Sequence, residues 1–128
     1  MADVKLNYVI IADNAFFSQE NNTLNIIGIF DRIAVKDFPA LHSKLSIVTS
    51  CSGPKATYEQ KLILKRSDGT GPAMELKGEV KILEEGQKAQ LIANIISIPL
   101  ISKGEYRVNV EINGKPQDQY AYFTVDKE

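Results

Sequence analysis

Apolar and polar residues alternate in run after run of this 128-residue chain, and turn residues separate the runs. A period of two puts successive side chains on opposite faces of an extended strand, so such a run buries one face and wets the other. Leu6, Tyr8, Ile10 and Ala12 mark one face of a first strand that stops near Asp13-Asn14. Leu45, Ile47, Thr49 and Cys51 alternate with Ser46, Val48 and Ser50 before Ser52-Gly53-Pro54. Leu62 and Leu64 point inward between Tyr58 and Arg66, while Glu59, Lys61 and Lys65 point out. In Met74 to Ile82, apolar Met74, Leu76, Val80 and Ile82 oppose charged Glu75, Lys77, Glu79 and Lys81. Gln87 to Ile98 and Tyr106 to Ile112 follow the same rule, and a last strand runs from Tyr120 to Val125.

Asp68-Gly69, Glu85-Gly86 and Asn113-Gly114 are turn signals between these runs. Lys115 to Asp118 extend the last of them beyond a two-residue hairpin on this reading. Ala15 to Asn22 is polar apart from Phe16 and Phe17 and reads as a loop or a short turn of helix. Thr23 to Val35 is continuously apolar enough for a central strand buried on both faces, with Gly28 marking a bulge or a close backbone approach. Phe38-Pro39 closes a connection, because proline cannot donate to a ladder.

The count is about eight strands and no helix longer than a turn or two. Such a pattern predicts an all-β, single-domain antiparallel sandwich over residues 1–128, Ig-like or Greek-key, with a small closed barrel as the alternative. Composition agrees: 15 Ile against 10 Leu and 8 Val favours strands, because β-branched side chains suit a pleated surface. Gly104-Glu105-Tyr106 opens a late strand, where Greek-key sandwiches often place a tyrosine whose hydroxyl bonds back to upstream backbone.

Charge and rare residues exclude several function classes. Fifteen basic and 16 acidic side chains give 15 − 16 = −1, which removes the electrostatic basis for general nucleic-acid or anionic-membrane binding. No run approaches the roughly 18–20 apolar residues of a membrane helix. One cysteine excludes an internal disulfide, and one histidine excludes any site needing two. Lone Cys51 and the absence of a leader at Met1 to Asn7 imply a cytoplasmic protein, or a virion component made in the cytoplasm.

The chemistry-bearing residues read as structural. His42 has no nucleophile pattern to serve and is expected at the surface or as a cap. Cys51 is expected to face the core as an inert thiol. Asp13, Asp31, Asp37, Asp68, Asp118 and Asp126 fall in separate turns, without the clustered spacing of a calcium loop. Asp68-Gly69-Thr70-Gly71 lacks the lysine and following helix of a phosphate cradle. Lys61, Lys65 and Arg66 read as a solvated face. No catalytic residue, cofactor site or metal site emerges. The aromatics Phe16, Phe17, Phe38, Tyr120 and Tyr122 stand out as a candidate interface, with plugging of the sandwich ends as the competing explanation.

Three segments carry a family resemblance: Tyr8-Val9-Ile10-Ile11-Ala12-Asp13, Leu24-Asn25-Ile26-Ile27-Gly28-Ile29-Phe30-Asp31 and Phe38-Pro39-Ala40. With Gly104-Glu105-Tyr106 and Asn113-Gly114 they resemble an uncharacterised family of bacterial and phage-associated proteins, a domain of unknown function similar to Ig-like β-sandwiches. The resemblance implies a sandwich fold and a binding or structural role, and it brings no catalytic residues.

The leading expectation is therefore a non-enzymatic Ig-like module that binds a protein partner, self-associates or serves assembly. A carbohydrate-binding module using Tyr120 and Tyr122, or Phe16 and Phe17, is the alternative. A small enzyme using loop carboxylates such as Asp13 and Asp31 is the remote one.

Overall fold

The structure is a computed structural model and describes residues 4–128. The leader-free reading of the first three residues lies outside the described residues. Nine strands form two facing sheets: β1 (Lys5–Phe17), β2 (Leu24–Ile29), β3 (Arg32–Val35), β4 (Ala40–Ser52), β5 (Ala56–Arg66), β6 (Met74–Ile82), β7 (Lys88–Leu100), β8 (Gly104–Ile112) and β9 (Lys115–Lys127). The first sheet has the order β2-β1-β4-β7, and the second β3-β9-β8-β5-β6. The all-β sandwich expected from alternation is present, and the closed-barrel alternative is set aside by the two separate sheets. Among the described residues no helix is long and apolar enough to cross a membrane.

Inward positions of both sheets fill one core. Leu45, Ile47 and Cys51 of β4 face Leu62 of β5, Val108 and Val110 of β8, and Phe123 of β9, all at most 1% exposed. Interdigitated branched side chains at this density make up the main stabilising term. One polar link crosses the core. Thr49 of β4 donates its hydroxyl to Gln60 Oε1 of β5 at 2.7 Å, and Gln60 Nε2 points at Cys51 Sγ, 3.7 Å away. Each polar atom buried there has a partner, which removes most of the desolvation cost.

The ninth strand comes from dividing the apolar stretch Thr23–Val35. Instead of one central strand, β2 edges the first sheet and β3 edges the second. The chain crosses between sheets at Phe30-Asp31, where Phe30 N–H donates to Ile11 O and Asp31 O accepts from Thr124 N–H at 2.8 Å. The stretch is apolar throughout because Ile26, Phe30, Ile33 and Val35 face inward from two different sheets, whereas Ile27 and Ile29 stay exposed. β3 pairs with β9 in parallel, the one exception to an otherwise antiparallel ladder set.

Two more expectations need correction. Phe16 and Phe17 belong to β1, which continues to Phe17 by pairing with Leu24 and Asn25, so the loop shrinks to Ser18–Thr23. Asn113 and Gly114 by themselves join β8 to β9, with φ of 50° and 80°. These are the positive values of a two-residue type I′ hairpin. The extra length expected at Lys115 to Asp118 appears within β9 as a register shift opposite Asn109–Glu111.

Candidate functional site

The five nominated aromatics do not form one patch. Phe16 and Phe17 are adjacent on β1 and so face opposite sides of the first sheet, both partly exposed. Phe38, in the cis Phe38-Pro39 connection, is half-buried against the core, which makes it a plug. Tyr120 and Tyr122 share the outer face of the second sheet, 43% and 47% exposed. The Arg107 guanidinium lies 4.4 Å from the centre of the Tyr120 ring. That cation–π contact occupies one ring face that a sugar would need for stacking.

A different surface stands out once the sheets are built. Ile27 and Ile29 of β2 pair with Asn14 and Ala12 of β1, which puts them on the outer face of the first sheet. Ile96 of β7 lies opposite Lys44 of β4 on the same face, because its neighbour Ile95 is in the core. Phe16 extends this face past Asn14. Leu41 extends it at the far end, beyond an irregularity at Ser97, whose φ is 54°. Five of the ten exposed large apolar side chains among the described residues therefore share one sheet face. Exposure is 53% for Ile27, 66% for Ile29 and 68% for Ile96.

The middle of that face is small and self-roofed. Ala12, Ser46, Val48 and Ser50 are 0% exposed although they point away from the core. Longer neighbours on β1 and β7 lean over them: Gln90 Nε2 donates to the Tyr8 hydroxyl at 3.2 Å across β4, and Ser46 donates to Asn94 Oδ1 at 2.6 Å. Among the described residues the charges aligned with this face by register are lysines: Lys44 near its centre, bonded to Asn14, and Lys5 and Lys88 at one end. By contrast, the outer face of the second sheet carries Lys61, Lys77, Glu75, Glu105, Arg107 and Glu111. A sheet face with exposed isoleucines and a few lysines is chemically suited to docking on another protein surface.

Sequence reading did not single out Ile27, Ile29 or Ile96. A signal was available: Ile26-Ile27 and Ile95-Ile96 are adjacent apolar pairs, and in a single strand such a pair must place one member outside.

The remaining candidates have structural roles. His42 is neither cap nor free surface residue. Its ring is half-buried against Phe30 at 5.9 Å, and its buried Nε2 has no hydrogen-bond partner. Cys51 is fully buried, and burial pushes its thiol above the ordinary value despite the Gln60 hydrogen bond, which acts the other way. Asp13 stands against Gly28, whose φ of 74° and missing side chain leave room for it. Among the described residues no three His, Cys, Asp or Glu side chains gather as a metal site.

Arg66 departs most from expectation. Its side chain is only 11% exposed and straps the β5 end to the β8 entry. Nη1 donates to Ser102 O at 2.9 Å, Nε to Thr70 Oγ1 at 3.0 Å and Nη2 to Asp68 Oδ2 at 3.2 Å. The guanidinium also lies 5.4 Å from the Tyr106 ring centre. Tyr106 in turn stacks on Phe123, with ring centres 5.3 Å apart, and its hydroxyl donates to Ser102 O at 3.2 Å, four residues upstream. The strap ties the Asp68–Thr70 turn and Ser102 to the end of β5.

Among family models, one described as a family of unknown function (DUF6941) matches residues 7–125. No curated protein matches the chain.

Proposed function

The chain belongs to DUF6941, a family of unknown function, and on that premise we propose that it is a non-enzymatic, immunoglobulin-like binding module. Its working surface is the outer face of the first sheet, and the observation that carries this reading is that Phe16, Ile27, Ile29 and Ile96 share that face with no carboxylate in register among the described residues. Three features support the immunoglobulin-like part: a five-stranded sheet with a parallel edge pair, two facing sheets, and a strand-entry tyrosine bonded back to Ser102 O. Fold-level analogy says little about the ligand, so the partner class rests on the face chemistry. A protein surface with apolar side chains opposite the isoleucines and a carboxylate opposite Lys44 complements this face. The bacterial or phage-associated assembly setting belongs to this reading through the family resemblance.

The test is affinity capture from the native source with the wild-type chain and an Ile27→Lys/Ile29→Lys variant, both on β2. A discrete partner retained by the wild type and lost by the variant supports the reading. A partner that is insensitive to this pair but lost on Tyr120→Ala/Tyr122→Ala moves the working surface to the second sheet and overturns it.

A further inference from the structure

We propose that β7 pairs with β7 of a second copy, in antiparallel register about a two-fold axis, joining two four-stranded sheets into one of eight. This inference rests on the edge of the sheet and not on its outer face, so it and the binding reading can fail separately. Four strands end the two sheets: β2, β7, β3 and β6. β2 and β3 are short, at six and four residues, and the chain crossing at Phe30-Asp31 lies between them. β6 is protected by charge, since Glu75, Lys77, Glu79 and Lys81 alternate along it. β7 has 13 residues, pairs only with β4, and carries no charged side chain from Ala89 to Leu100. An unpaired edge of that length presents a row of backbone donors and acceptors, and natural sheets normally blunt such edges with lysine, proline or a bulge.

Only the two ends of β7 are blunted in this way, the first by Lys88. Ser97, with φ of 54°, and Pro99 interrupt its last residues and leave Lys88–Ile96 regular. The centre of that stretch is Ile92. A two-fold axis there sets Ile92 opposite its own copy, Gln90 opposite Asn94, and Leu91 opposite Ala93. Aliphatic then meets aliphatic and amide meets amide, and Lys88 at the terminus is the only charge in the paired stretch. Self-pairing therefore meets no like-charge opposition along its middle, which cross-strand pairing penalises strongly. A second observation points to the same edge. Between β6 and β7 lies a cleft of about 200 Å³ lined by Leu62, Leu76, Leu91 and Ala93, and it opens beside the unpaired strand. Gly78 keeps it open on one side, since a side chain there would press on Leu91 at 3.2 Å.

The test is the solution mass of the full chain by light scattering and sedimentation, with two charged variants on exposed positions. Gln90→Lys/Asn94→Lys and Gln90→Glu/Asn94→Glu each set like charges opposite one another across the two-fold. The wild type should run at twice the chain mass, each variant alone at the single-chain mass, and an equimolar mixture of the two at the double mass again. Recovery in the mixture separates lost pairing from lost folding. A wild type that stays monomeric at about 100 μM overturns the proposal, as does a dimer that both variants leave intact. Either result leaves the outer-face reading to its own test.

Discussion

Arg66 lies over Gly104 so closely that a β-carbon on Gly104 would stand 2.8 Å from Arg66 Nη2. Gly104 also has a φ of 139°, which side-chain-bearing residues rarely adopt. The glycine that opens β8 thus makes room for the arginine that straps β5 to that strand entry. Arg66 and Tyr106 donate to the same acceptor, Ser102 O.

Gly104→Ala should destabilise the fold by about 1–3 kcal/mol, because it adds backbone strain and displaces the guanidinium. Chemical denaturation measures the loss. A second substitution, Arg66→Ala, should make the cost of Gly104→Ala smaller than in the wild type. Equal costs in both backgrounds would show that the guanidinium does not dictate the glycine.

Gln60→Leu should cost about 1–3 kcal/mol, since it leaves the Thr49 hydroxyl buried without its acceptor. Adding Thr49→Val removes the orphaned group, so the double variant should be less destabilised than the sum of the singles. A thermodynamic cycle by urea unfolding reads this directly, and additive losses would mean that the two side chains act independently.

Asp68 should make the fold acid-sensitive in a defined direction. Its carboxylate accepts hydrogen bonds first from the Thr70 hydroxyl and the Thr70 N–H, then from Arg66, and these hold it well below the usual carboxylate range. A lowered folded value means that the stabilisation is complete above the ordinary aspartate value of about 3.9 and is lost as the pH falls from there through the folded value. Asp68→Asn should lower the melting temperature at pH 7, and the gap to wild type should close in acid. A gap that persists unchanged at pH 2 would assign the effect to shape.

Cys51 should be inert toward a disulfide-exchange reagent in the folded protein and react fully once the chain is unfolded. Burial removes access to the sulfur, and the raised thiol value leaves little thiolate at neutral pH. A reaction rate matching that of a free thiol without denaturant would mean that the core opens locally around β4.

Alternation in β5, β6 and β8 was legible because each has one wet face and one dry face, which is the condition under which a period of two appears in a sequence. Cys51 at the core was legible for the same reason. The stretch Thr23–Val35 was not, because β2 and β3 contribute inward side chains to two different sheets and Asp31 alone marks the crossing. Arg66 read as solvated because its partners, Ser102 and Tyr106, lie far away in the chain. The Phe16–Phe17 pair read as part of a loop, and both its place in β1 and which of the two shares a face with Ile27 depended on the register of β1 with β2.

By itself, the sequence determined that this chain is an all-β sandwich with a mixed-charge outer surface on β6 and β8 and, with one cysteine, no internal disulfide. Those are properties of composition and of neighbours two residues apart. Only the tertiary structure decided which strands become edges and which isoleucines end up outside. Edge position and sheet order arise from pairings between residues tens of positions apart, such as Ile92 with Val48 and Arg32 with Thr124. A strand carries the same alternating pattern whether its second neighbour is another strand or water, so the uncharged β7 and the isoleucine face became visible only once the sheets were assembled.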